Sequence, residues 1–176
     1  MTIITFSGHN GSGKTAVSKA VADRLGFSWW GMADITRLYA QELGMSILEF
    51  DRYVAQNPSV DVAIDERMAG LSSQENIVVD GRAGWYFLPE SIKVFLTASE
   101  GVRAERAFSG QRDSEKYSSV EDARRGIAER IAVFRSRLQD LYGVDVYDEK
   151  NFDIVIDTSD MSVQEVVDAV LEKVQL

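Results

Sequence analysis

The chain is expected to fold as a single α/β domain in which a five-stranded parallel sheet is flanked by helices, and three observations predict this. Short apolar runs alternate with helix-patterned stretches through all 176 residues, as when strands are laid side by side by helical crossovers. The stretch Gly8-His9-Asn10-Gly11-Ser12-Gly13-Lys14-Thr15 matches the phosphate-binding pattern G-x-x-x-x-G-K-[ST] at each fixed position, between an apolar run and a helix pattern. No internal repeat, low-complexity tract or linker-like stretch divides the chain, so residues 1–176 read as one domain.

Thr2 to Ser7 (TIITFS) reads as a buried strand and Thr15 to Leu25 as a helix whose N-terminus faces the glycine-rich loop. Phe27 to Trp30 is the second strand, followed by three short helices from about Ala33 to Ser72. Two of these carry start signals: Ser46-Ile47-Leu48-Glu49 is a capping box, and Pro58 follows a break at Asn57. Asn76 to Asp80 and Ile92 to Thr97 are the third and fourth strands, and Asp153 to Asp157 is the fifth. Between the last two lie a helix near Glu100 to Phe108, a polar segment from Ser109 to Ser118, and a long helix from about Ser119 to Leu141. Ser162-Val163-Gln164-Glu165 caps the final helix.

Composition narrows the function classes. Hydrophobic residues make up 45% of the chain and charged residues 27%, enough for a full core. A formal net charge of -9 argues against a nucleic-acid binder, which needs a broad basic face. With no cysteine, disulfides and thiolate metal sites are impossible. Met1 runs straight into the first strand without a basic and apolar leader, and no run of about 18 apolar residues occurs. A soluble, cytoplasmic monomer without membrane contact is expected.

The loop Gly8 to Thr15 makes a nucleoside triphosphate the first ligand to consider. Its backbone N–H groups can curl around phosphates, Lys14 can reach the outer ones, and the Thr15 hydroxyl can ligate Mg²⁺. His9, the only histidine, reads as a spacer within the loop. Asp80 ends the third strand, the edge where ligands of open α/β sheets bind, and is the second magnesium-directed residue. Arg82 leaves the same edge and can clamp an acceptor phosphate through its guanidinium fork, with Arg37 as a second clamp. Arg103 and Arg106, spaced i, i+3, share a helix face just before the polar segment. On the long helix, Arg130 and Arg137 fall together at one edge of the apolar stripe, roughly 10 Å apart along the axis. Arg124, Arg125 and Arg135 lie on the same helix, so periodicity alone does not select the functional pair. Nor does the glycine-rich loop alone name a reaction. The lack of an N-K-x-D tetrapeptide and the short length favour a small kinase over GTPases and ATPase machines. A non-catalytic nucleotide sensor is the alternative from another class.

Taken together, the motifs resemble those of the short, archaeal-type cytidylate kinases, within the nucleoside monophosphate kinases. The resemblance runs almost end to end. Beyond the loop it rests on Asp34-Ile35-x-Arg37, Gly44-Met45-Ser46, Glu49-Phe50 and Ile64-Asp65-Glu66-Arg67. It continues through Asp80-Gly81-Arg82-Ala83-Gly84-Trp85, Leu96-Thr97-Ala98, Val102-Arg103-Ala104-Glu105-Arg106, Tyr142-Gly143-Val144-Asp145 and Asp157-Thr158-Ser159. It implies a P-loop kinase fold with a helical monophosphate-binding insertion at about 33–73 and a short lid at about 107–120. It also implies ATP with Mg²⁺ at Gly8 to Thr15, and CMP or dCMP under the insertion. Arg37 and Arg82 would hold the acceptor phosphate, with Asp34, Gly84 and Trp85 in the matched acceptor motifs. Arg103 and Arg106 would lie by the donor, while Lys14, Arg130 and Arg137 would reach the transferred group. Asp61, Asp65 and Arg67 lie in the insertion as alternatives for reading the base, a carboxylate accepting from the cytosine amino group or an arginine donating to the ring. The lid segment is slightly longer than the family's usual form.

Overall fold

The computed structural model describes residues 2–110 and 116–174, with the side chains of Ile35 and Asp61 outside that set. The middle of the expected lid, 111–115, therefore lies outside the described residues, as does the expected contact of the Asp61 side chain with a base.

Five strands, β1 (Ile3–Gly8), β2 (Ser28–Gly31), β3 (Ile77–Asp80), β4 (Ile92–Thr97) and β5 (Ile154–Asp157), form one sheet in the order β2-β3-β1-β4-β5. All four pairings are parallel, which demands a crossover between consecutive strands. The helices α1 (Lys14–Leu25), α6 (Glu100–Ser109), α7 (Val120–Tyr142) and α8 (Val163–Val174) lie in these connections or follow the last strand. The remaining helices are α2 (Met32–Glu42), α3 (Ile47–Gln56) and α4 (Pro58–Ala69) between β2 and β3, and α5 (Gly84–Phe87) before β4.

The strands are nearly continuous apolar runs because both faces of the sheet are covered. Ile4, Phe6, Val78, Val94 and Leu96 pack with Val17 and Val21 of α1 and Val166 and Val170 of α8. On the other face Phe95 meets Phe134 and Leu138 of α7 and the buried Tyr147. The helical insertion has its own small core of Ala40, Ile47, Phe50 and Val54.

Local signals account for the ends of these elements. Ser46 accepts from Glu49 N while Glu49 accepts from Ser46 N, and Pro58 opens α4. Ser162 and Glu165 repeat the reciprocal arrangement at α8. Glycines in the left-handed conformation close α1 at Gly26 and α7 at Gly143. The four-residue α5 was not expected, because one turn is too short to show periodicity. It forms where Gly84 N donates back to Gly81 O at 2.9 Å.

Candidate active site

The glycine-rich loop joins β1 to α1, whose N-terminus opens onto it. A Cβ at Gly8 would sit 1.9 Å from Leu96 O and one at Gly11 2.6 Å from Arg103 O, so neighbouring backbone excludes side chains there. Gly13 caps α1 at φ +89°, a conformation that only glycine adopts without strain. The Lys14 ammonium donates to His9 O across the loop at 3.0 Å. Thr158, just after β5, braces the loop: its Oγ1 lies 3.0 Å from Ser12 O. Asn10 Oδ1 and Ser12 Oγ are buried with no hydrogen-bond partner among the described residues, which suits a loop built to meet a polar ligand.

Thr15 Oγ1 donates to Asp80 Oδ2 at 2.6 Å. Register explains the meeting, since Phe6 of β1 pairs with Asp80 of β3 one turn before the loop. Burial pushes the Asp80 carboxyl above its usual range, against the opposing pull of Lys14 and the Thr15 hydrogen bond. Two oxygen donors of this kind beside a phosphate cradle fit Mg²⁺, a hard cation that takes oxygen ligands and keeps several waters.

A cleft of about 340 Å³ runs from this loop to the helical insertion. It gathers Lys14, Thr15, Arg37, Asp80, Arg82, Arg106, Arg130 and Arg137 on its walls, with Asp65 at the insertion end. Ile47, Phe50, Val54 and Met68 form an apolar wall opposite the charges. Arg106 also clasps Thr158, through Nη1 to Oγ1 at 2.9 Å and Nη2 to O at 2.7 Å.

Eight expected contact residues do not line this cleft among the described residues: Gly8 and Ser12 of the loop, and His9, Asp34, Arg67, Gly84, Trp85 and Arg103. Arg103 parts from Arg106 because the loop packs against α6 at Gly11. Its Nε donates to Ala98 O at 3.0 Å, and it lines a second cavity of about 310 Å³ with His9. The His9 ring is stacked on Tyr147, centroids 4.8 Å apart, and only its carbonyl takes part in the loop. Burial, aided by Arg103 and Lys14, lowers its pKa to about 4. Asp34 is half exposed and pairs with Arg37 at 2.5 Å, so it orients a clamp rather than facing the cleft. Arg67 is exposed, because Asp65 and Met68 take the inner side of α4. Gly84 is packed against Thr5, and Trp85 turns its ring edge toward Phe152 at 5.7 Å.

Residues that sequence reasoning missed complete the site. Asp51 is 3% exposed and uses both carboxylate oxygens, Oδ2 to Arg130 Nε at 2.8 Å and Oδ1 toward Arg82 Nη2 at 3.8 Å. Its signal was legible: Ile47, Phe50, Asp51 and Val54 share the buried face of α3, and a carboxylate on an apolar stripe needs a partner. Phe134 lies beneath two guanidinium groups, Arg82 at 3.8 Å and Arg137 at 4.6 Å from its centroid. Tyr142 donates its hydroxyl to Asp65 Oδ2 at 2.5 Å.

A parallel sheet with a phosphate loop after β1, an acidic strand end beside it and an arginine-lined cleft defines a P-loop kinase-like phosphotransferase. Residues 60–160 match the model of the Cytidylate kinase-like family, and the chain belongs to that family. It is 38% identical to the cytidylate kinase of Pyrococcus horikoshii over 91% of this chain and 81% of that one. It is also 36% identical, over 99% of its length, to an S-adenosylmethionine-dependent nucleotide dehydratase of Lacinutrix mariniflava, but spans only 36% of that protein. In structure it is similar to the shikimate kinase of Bacteroides thetaiotaomicron, with a TM-score of 0.68 over 99% of both chains at 14% identity. At that identity the likeness is one of fold.

Proposed function

We propose that the protein is an ATP-dependent (d)CMP kinase, catalysing ATP + (d)CMP ⇌ ADP + (d)CDP. The observation that carries this reading is the continuity of the cleft, from Lys14 and Thr15 past Arg82 after β3 to Arg37 in the insertion. Arginines at that far end suit an acceptor that already bears a phosphate.

The acceptor phosphate oxygen is itself the nucleophile that attacks the γ-phosphorus, with ADP leaving on the opposite side. No side-chain base is needed, and the work is positioning and charge stabilisation. Arg37 and Arg82 hold the acceptor. Lys14, Arg130 and Arg137 meet the charge of the transferring group, and Arg106 lies on the donor side. Thr15 and Asp80 would hold Mg²⁺, which neutralises charge on the donor phosphates when bound. Asp65, fixed by Tyr142, is the residue placed to accept from the exocyclic amino group of cytosine.

The test is ADP release from ATP with CMP, dCMP, UMP, AMP, GMP and dTMP in turn. Turnover with CMP or dCMP is expected to exceed the others; turnover only with AMP, or with none, would sink the proposal. A second reading is favoured by the dehydratase-named relative, all of whose similarity falls in one part of a longer chain. In it the acceptor is a nucleoside monophosphate that has lost a hydroxyl as water. Adding such a monophosphate to the panel decides between the two.

A further inference from the structure

Asp51 stands at the junction of three elements. It projects from α3 of the insertion, and its two oxygens reach Arg130 of α7 and Arg82 from the loop after β3. Arg130 is itself buried, its side chain 7% exposed. Beside this pair Arg52 meets Glu129 with the charges reversed, Arg52 Nε to Glu129 Oε1 at 3.0 Å. Consecutive residues on α3 therefore bind consecutive residues on α7, and the alternation of sign allows only one register between the helices.

We infer that Asp51 is a positioning residue that fixes Arg130, and with it Arg82, for phosphoryl transfer, an inference that rests on the kinase reading above. Its bond to Arg130 uses Nε, the stem end of the guanidinium, at 2.8 Å, so a carboxylate in the cleft wall anchors the group. The looser contact to Arg82 spans 3.8 Å, and Arg82 Nη1 is buried with no hydrogen-bond partner among the described residues. One carboxylate thus sets the spacing between the arginine assigned to the acceptor and the arginine assigned to the transferred group. It also ties the acceptor-binding insertion to the helix that follows the lid.

The experiment compares D51N, R130Q and the double variant, using the best acceptor of the wild-type protein at saturating ATP and Mg²⁺. D51N is expected to lower kcat at least tenfold while the KM for ATP stays within about twofold. Added to R130Q, D51N should change kcat less than threefold, because its effect passes chiefly through Arg130. A D51N kcat within twofold of wild type, or a further tenfold loss in the double variant, would overturn the assignment. If D51N alone does not fold, R130Q against the double variant still decides, since Asp51 in R130Q keeps Arg82 as a cationic partner at 3.8 Å and the double variant leaves neither position charged. A second readout needs no acceptor: the Arg130 Nε–H resonance should be protected from solvent exchange in the wild type and lose that protection in D51N. Absence of protection in the wild type would also overturn the inference. A wild type inactive with every monophosphate would instead refute the kinase reading while leaving this spectroscopic result to judge Asp51.

Discussion

The Thr15 hydroxyl and the Asp80 carboxylate, 65 residues apart in the chain, meet at 2.6 Å across the ends of β1 and β3. Asp80 is buried and its charged form is disfavoured there, so above the usual carboxylate pKa the free protein loses stability by keeping it ionised. Asp80→Asn should therefore raise the melting temperature of the nucleotide-free protein at pH 7 by a few degrees, at roughly 2–4 °C per kcal/mol for a chain of this size. The same variant should lower kcat by about a hundredfold or more and weaken the Mg²⁺ dependence of the rate. Thermal melts with and without Mg²⁺·ATP check this; an unchanged Mg²⁺ titration would remove Asp80 from the metal site.

Lys14 and Arg82 line one cleft, and substitutions at the two should separate by the roles proposed for them. Lys14→Ala is expected to reduce kcat about 10²- to 10³-fold, the scale of losing one charged group aimed at the transition state. Arg82→Ala should raise the acceptor KM at least tenfold and leave the ATP KM within about threefold, if its charge-assisted contacts serve the acceptor as proposed. Initial-rate kinetics with each substrate varied in turn distinguish them. Equal loss of ATP affinity in both variants would contradict these roles.

His9 gives a pH dependence with a definite sign. Its pKa falls from 6.5 in the unfolded chain to about 4 in the folded one. Between those values the unfolded state binds the proton and the folded state does not, so His9 lowers stability as the pH falls through that window and has no effect above it. Denaturant midpoints at pH 7 and pH 4.5 should therefore diverge more for the wild type than for His9→Gln. Comparing the two proteins isolates His9 from the carboxylates that titrate in the same range. Rates should be insensitive to His9 ionisation from pH 7 to pH 8.

Glycine substitutions in the loop should be graded by what surrounds them. At Gly8 a Cβ would overlap Leu96 O, 1.9 Å away on the adjacent strand. Gly8→Ala should cost about 3 kcal/mol or more, the range of forced overpacking in a core. At Gly13 no atom lies within 4 Å, so Gly13→Ala should cost only the strain of a left-handed residue, about 1–2 kcal/mol. Denaturant unfolding measures both.

Much of the architecture was legible because it rests on local signals. The glycine-rich loop, the capping serines at Ser46 and Ser162, and the short apolar runs each fix an element without reference to distant residues. The strand order comes from the structure, and with β1 beside β3 it brings Thr15 to Asp80. The cleft was legible in part. Arg37, Arg82, Arg106, Arg130 and Arg137 do converge, yet helical periodicity placed Arg130 at the edge of its stripe when it is buried against Asp51. Arg103 and Arg106 looked equivalent at i, i+3, but the approach of the loop at Gly11 divides them between two cavities. Trp85 was drawn toward the acceptor by its motif, whereas an unexpected helical turn carries its ring to Phe152. These misses share a cause: each side chain's direction is settled by a partner far away in sequence.

The excursion made by α2, α3 and α4 leaves the sheet from β2 and returns to it at β3, two strands that are hydrogen-bonded neighbours with Gly31 opposite Asp80. Because the pairing is parallel, it leaves at the C-terminal end of β2 and re-enters at the N-terminal end of β3, where Ile77 lies opposite Ser28, so the sheet itself fixes both of its ends. The insertion is tied to α7 by Asp51–Arg130, Arg52–Glu129 and Asp65–Tyr142. A chimaera that grafts another insertion between Gly31 and Ile77 and keeps the Asp51 and Arg52 contacts should retain its donor while adopting a new recipient, with Arg82 outside the graft still present to meet the acceptor phosphate.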